Sequence, residues 1–213
     1  MLRTLVLAAL VWQRLAAPMP IPVDLEPQHH IAYTNEALRV LQVNLPIGYT
    51  TLDHTHANDL LTVNIENGPT RTREGDADWS AIRERAVGAV NVTEYTGHAS
   101  AHVVRVVGDK AYRLTGVENR RTGGWSTLPP VTSENLRVST ESRAFRAYTV
   151  HLPAGASDTH THQVPVVVVV VEGAVRADSA ALAEPGAFAV VAPGQLHSVT
   201  AVREARVVEV EVR

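Results

Sequence analysis

The chain contains no cysteine. Disulfides and thiolate ligands are thereby excluded, and any metal it holds must be bound by His, Asp, Glu or Gln. It also has no Lys/Arg cluster. A formal charge of −3 is spread over 213 residues, so nothing in it attracts a phosphate backbone or an anionic membrane surface. Nucleic acid is therefore not expected as a partner. Nor does the apolar run at its start, Leu5 to Trp12, reach the length needed to span a bilayer. What remains, 45% hydrophobic and 19% charged residues, is an ordinary globular mixture sufficient for one or two domains.

The most informative feature present is an internal repeat in which each copy carries a His-x-His pair. Arg39, Val43, Leu45, Pro46 and Gly48 recur as Arg146, Val150, Leu152, Pro153 and Gly155. His54 and His56 follow the first glycine, and His160 and His162 the second. Two residues apart on a strand, the members of each pair share a face and can grip one ion from one direction. A further histidine follows each pair, His102 in the first copy and His197 in the second, so six of the ten histidines fall into the repeated slots.

From about Ile31 onward the pattern is β throughout, with Gly, Pro and Asp between the runs. Strands are predicted over Ala37–Leu45, Leu60–Ile65, His102–Val107 and Ala111–Val117 in the first unit. In the second they fall over Phe145–Leu152, Val164–Val171, Ala187–Val191 and Val199–Val210. The six valines Val166 to Val171 leave that strand no polar face, so both its sides must be covered, one by a barrel interior and the other by a partner surface. Asp76 to Arg85, with Trp79 and Ile82 three apart among charges, fits either a short surface helix or a polar loop with one buried Trp.

Domain limits follow from composition. Arg3, the apolar run behind it and the small residues Ala16 and Ala17 predict an export signal over residues 1–18, hence a periplasmic or secreted protein. Pro18 to His30 reads as an extended lead-in in which His29 and His30 are surface residues. The N-terminal barrel with its lead-in is placed at 19–121, a Gly- and Pro-containing connection at 122–139, with Trp125 packing it against a barrel, and the C-terminal barrel at 140–213.

The repeated motifs resemble those of the cupin superfamily. Gly48, His54-Thr55-His56 and Gly68 reproduce the spacing of its first motif, as do Gly155, His160-Thr161-His162 and Gly173. Gly186, Ala192-Pro193-Gly194 and His197 match the second motif, with Ala201 in place of its Asn. In the first unit only His102, followed by Gly108 and Asp109, is in register. The resemblance covers about Tyr33 to Arg213 and implies a bicupin: an all-β fold of two tandem double-stranded β-barrels, jelly-roll-like in form.

It also implies two metal sites, His54, His56 and His102 in one and His160, His162 and His197 in the other. The family's glutamate is missing, because its slots hold Leu61 and Val166. Asp59 and Gln163 are the nearest substitutes, although strand parity points both away from the pairs. Three neutral imidazoles suit a divalent transition metal (Fe, Zn, Ni, Mn or Cu) and not Mg or Ca. The ion would keep its double positive charge and favour an anionic or chelating small molecule.

By resemblance the expected activity is a metal-dependent dioxygenase acting on a small oxygenated or anionic organic compound. The alternative is a non-enzymatic module that binds metal or a small ligand, and the histidines also fit a third role as hydrogen-bonded polar filling. No general base stands out among Asp59, Glu94, Tyr95 and Gln163. The valine run adds a homo-oligomer to the expected partners through an apolar surface.

Overall fold

Side chains alternate sides along a strand, so a strand with no polar face needs two dry environments. That requirement organises the fold. The computed structural model describes residues 19–121, 123 and 126–213. Residues 1–18, assigned above to an export signal, and Trp125 lie outside the described residues. No helix among the described residues is long and apolar enough to cross a membrane.

The first unit comprises β1 (Ile21–Pro22), β2 (His29–Thr34), β3 (Leu38–Leu45), β4 (His54–His56), β5 (Asp59–Asn67), β6 (Thr70–Arg73), β7 (Val90–Thr93), β8 (Ser100–Val106) and β9 (Tyr112–Asn119). They form a five-stranded sheet in the order β2-β3-β9-β5-β7 and a four-stranded sheet in the order β1-β4-β8-β6. The second unit comprises β10 (Leu136–Glu141), β11 (Phe145–Leu152), β12 (Ser157–Thr161), β13 (Val166–Ala177), β14 (Ala180–Leu182), β15 (Phe188–Val191) and β16 (Leu196–Val212). Here one seven-stranded sheet curls on itself, because the long strands β13 and β16 run through both faces and shift register at three places. Gly173 (φ 81°) sits at that bend, where a Cβ would collide with the carbonyl oxygen of Glu204. The architecture is the expected all-β pair of tandem barrels.

Both sides of the valine strand are covered. Val166, Val168 and Val170 join Tyr148, Val150 and Leu152 in the interior of the second barrel. Val167, Val169 and Val171 join Phe145, Val208, Val210 and Val212 in a second apolar cluster with Leu38, Val40, Leu61, Val63 and Val117 of the first barrel. The partner surface is thus the other half of the same chain. Polar stitching flanks it, since the buried Asn119 amide donates to the carbonyls of Ala144 and Arg213, each at 3.0 Å.

Of the two readings of Asp76 to Arg85 the loop is the one found: it runs back along β6, with Arg83 bridged to Thr70 and the guanidinium groups of Arg73 and Arg105 over the half-buried Trp79 ring at 5.1 and 4.6 Å. One expectation is corrected. The lead-in is part of the barrel. Ile21 donates to the Asp53 carbonyl, β1 pairs in parallel with β4, and His29 starts β2 and is buried.

The inter-barrel cluster predicts a sharp contrast in stability. Phe145→Ala should cost about 3–5 kcal/mol in urea denaturation, because a fully buried ring is removed from a contact shared by both barrels. Val202→Ala, at a position 62% exposed, should change it by less than about 0.5 kcal/mol.

Candidate metal centres

The paired registers bring the predicted histidines together. His160 on β12 lies opposite His197 on β16, as His54 on β4 lies opposite His102 on β8. Ring centroids are 4.4–5.5 Å apart within the C-terminal trio and 4.7–5.2 Å within the N-terminal one.

In the C-terminal barrel a carboxylate that the motifs do not indicate completes the set. Glu209 on β16 is fully buried, and its Oε2 lies 2.8 Å from His160 Nε2, 3.1 Å from His162 Nε2 and 3.7 Å from His197 Nε2. The far ring nitrogens are held from behind. His160 Nδ1 donates to Asp158 at 2.8 Å and His162 Nδ1 to Glu211 at 2.7 Å. Asp158 in turn accepts from Ser133 and Asn135, and Glu211 from Arg146. Such outer carboxylates orient imidazoles toward a metal.

The charges follow from these bonds. Burial alone would push the Glu209 carboxyl up, but hydrogen bonds from His160 and His162 and the nearby His197 ring outweigh it and hold the group well below the usual range. Burial likewise pushes His160 and His162 down. The carboxylates outweigh it, raising His160 and taking His162 to about 8. Without metal, both rings donate from both nitrogens and are imidazolium ions around a glutamate.

The N-terminal cluster is built differently. Its fourth member is His29, whose ring centroid lies 4.7 Å from that of His54 and whose Nδ1 donates to the buried Glu26 at 2.6 Å. Donor atoms of His29, His54 and His56 lie within 4.8 Å of one another, with the His102 ring stacked on His56. His54 Nδ1 donates to the Leu52 carbonyl, which leaves its Nε2 lone pair facing the cluster. Burial, reinforced by the neighbouring imidazoles, pushes His54 down to about 4 and His102 to about 3, so both stay neutral. Here the carboxylates stand behind the rings: Glu118 Oε1 is 3.9 Å from His56 Nδ1 and its Oε2 accepts from Arg39 at 2.6 Å.

The donor sets fit a transition metal. His54 Nε2, both ring nitrogens of His197 and Glu209 Oε1 are buried without a hydrogen-bond partner, and orphaned buried polar groups cost about 1–3 kcal/mol each unless something binds them. Imidazole with at most one carboxylate suits Fe, Zn, Ni, Mn or Cu.

The N-terminal cluster opens on a cavity. Its volume is about 340 Å³, and His29, His56 and His102 form part of the wall. Leu41, Val43, Leu45, Leu60 and Leu114 line it together with the polar Thr62, Thr72, Glu74, Arg83, Arg85 and Asn91. Tyr95 lines it too, its ring stacked 5.1 Å from that of His56.

Several sequence expectations need correction. The second site is not three bare imidazoles, since Glu209 supplies a carboxylate from the last strand. Opposite Glu118 in the ladder stands Leu60, as Val166 stands opposite Glu211, so Leu60 and not Leu61 occupies the place equivalent to Val166. Leu61 faces the other barrel. Asp59 is no ligand. Its Oδ1 accepts from the backbone of Tyr95 and Thr96 at 2.8 and 2.7 Å, and Arg143 lies 3.5 Å from its Oδ2. Gln163 is exposed, as are His30, His98 and His151. His29 was missed because nothing in the lead-in marks it.

The C-terminal cluster predicts a pH optimum for the stability of chelated protein. His160 and His162 are raised above their ordinary 6.5, so their contribution is complete below that pH and is lost as pH rises through their folded values, about 8 for His162. Glu209 is lowered, so its contribution is complete above its ordinary 4.5 and is lost on acidification. His54 and His102 are pushed down and act the other way, because the unfolded chain takes up protons at them below 6.5, so the apo thermal midpoint should be highest near pH 6.5 and fall by a few degrees both toward pH 9 and on acidification. Calorimetry in EDTA checks this, and Glu209→Gln should flatten the profile.

No protein-family model and no curated protein matches the sequence. Solved structures do match over nearly the whole chain. AerE from Microcystis aeruginosa aligns at a TM-score of 0.63 and 13% identity, covering 92% of this chain and 98% of its own. A salicylate 1,2-dioxygenase from Pseudaminobacter salicylatoxidans aligns at 0.61 and 12%, covering 84% and 72%. The pirin YhhW from Escherichia coli, solved in complex with nickel(II), aligns at 0.57 and 14%, covering 86% and 90%. These are cupin-fold proteins, and the likeness establishes that this chain has the cupin fold twice over.

Proposed function

We propose that the chain is a metal-dependent dioxygenase that acts on a small, oxygenated, anionic organic substrate in the N-terminal barrel. The observation that carries this reading is the cavity of about 340 Å³ with His29, His56, His102, Arg83 and Arg85 in its wall. The volume suits a small molecule. The likeness to a salicylate 1,2-dioxygenase and to a nickel-bound pirin supports it.

A bound ion would supply positive charge to polarise the substrate's oxygens and redox capacity toward O2. His29, His54 and His56 would hold it, with the His102 ring stacked on His56 and with Glu26 and the Leu52 carbonyl fixing the rings of His29 and His54. Arg83 and Arg85 bind the substrate's anionic group and so set its orientation. The leucine and valine wall excludes water from the reacting end. Burial raises the Tyr95 hydroxyl, so it stays protonated and is available as a hydrogen-bond donor beside His56. Asp59, gripping the backbone of Tyr95 and Thr96, positions that ring.

Protein purified without chelator or affinity tag should contain transition metal by elemental analysis. It should consume oxygen with some member of a panel of hydroxy-, keto- and thiol-acids and diketones. Arg85→Gln should raise KM by about tenfold or more, as expected from losing a charge-assisted hydrogen bond of roughly 1.5–3 kcal/mol. Absence of metal after reconstitution overturns the reading. Retained metal with no oxygen uptake across the panel would point to a binding module instead.

A further inference from the structure

The two barrels can be compared position by position, because their ladders share one register. Arg39 lies opposite Glu118 and Arg146 opposite Glu211, and both pairs are ion pairs. Two residues further along the ladder, Leu41 lies opposite Gly116 in the first barrel and Tyr148 opposite Glu209 in the second. On the next strand, Thr62 flanks Gly116 and Val168 flanks Glu209. At the other edge, His29 faces Val43 and Leu136 faces Val150.

These exchanges all act in one direction. Leu41, Thr62, Gly116 and His29 line the N-terminal cavity. Their counterparts Tyr148, Val168 and Leu136 are packed in one buried apolar cluster, and Glu209 reaches the imidazoles where Gly116 has no side chain to offer. A glycine in the centre of a strand weakens it and commonly marks a place kept free for something else. In the second barrel the same place is filled by a metal donor.

We propose that the C-terminal cluster is a closed structural metal site, held by His160, His162, His197 and Glu209 in a packed interior, and that substrate meets metal only in the N-terminal barrel, where Gly116 lines the cavity and offers no donor. Tyr148, whose ring lies 5.5 Å from that of His162, packs with Val168 and Leu136 beside these donors, whereas an open site keeps a position for an incoming ligand. All four donor side chains are at most 7% exposed. The ion would be a divalent metal that accepts three imidazoles and a carboxylate, of the zinc type. It would pin β12, which pairs only with β16, to the far end of that strand, joining His197 to Glu209 across the barrel. This inference rests on the metal reading above.

Cobalt(II) is the probe, because its visible spectrum reports its ligands. His162→Ala leaves the N-terminal site and His56→Ala the C-terminal one. Azide should change the cobalt spectrum of the His162→Ala protein and leave that of the His56→Ala protein unmoved. EDTA should strip the second more slowly than the first, and stripping should lower its thermal midpoint by several degrees. Glu209→Gln should weaken C-terminal cobalt binding by at least the roughly 10–100-fold that loss of a mere outer partner costs.

If either alanine variant fails to fold by circular dichroism, the unmodified protein loaded with two cobalt equivalents serves. Release to EDTA should then be biphasic, with azide affecting only the fast-released ion. Equal azide responses, or a single release phase for two bound ions, overturn the closed-site assignment while leaving the metal-dependent function standing. Failure of cobalt to bind at either site overturns both.

Discussion

Side chains along the two central strands must alternate between two interiors, and everything else depends on that constraint. At the end of β16, Val208, Val210 and Val212 enter the dry contact between barrels, while Val207 enters the barrel interior and Glu209 and Glu211 meet the histidines. A slip of one residue would reverse every one of these assignments. Carboxylates would then enter a valine-lined interface without partners, at the high cost of burying unpaired charge. The apolar contact between barrels therefore holds the geometry of the histidine clusters in register as well as holding the halves together.

Buried charge is tolerated because each group is paired. Arg146 is bonded to Glu211, Glu141 and the Leu128 carbonyl, and Glu211 passes the interaction on to His162. The equivalent chain in the first barrel runs from Asp24 through Arg39 and Glu118 to His56. Removing one member of such a chain strands the next, so the network penalises alternative arrangements more than it stabilises the native one. It also orients four of the rings: carboxylates take Nδ1 of His29, His160 and His162, and the Leu52 carbonyl takes that of His54.

Much of this was legible in the residues. The glycine-framed His-x-His pairs placed both clusters, since a spacing of two on a strand is a statement about faces. The valine run announced two covered faces because no polar residue interrupts it. Leu61 misled because motif spacing counts residues along the chain, whereas position in the barrel is set by the ladder, and Leu60 holds the equivalent register. Glu209 and Glu211 did carry a signal. In Val-Val-Glu-Val-Glu-Val, carboxylates alternating with valines on an otherwise apolar strand mark an interior that needs negative charge. His29 carried none: it enters the cluster through its pairing with β3 and its bond to Glu26.

What the sequence by itself determined was local and periodic: strands, their two-sided burial, the repeat, and which histidines share a face. These follow from the geometry of one extended chain and need no knowledge of its partners. Only the tertiary structure decided which residues far apart in the chain complete each cluster, and that Gly116 and Glu209 are the same place in two barrels. Strand pairing across intervals of dozens of residues settles such matters. It is chosen by the packing of two whole interiors at once, and no short stretch of sequence contains that choice.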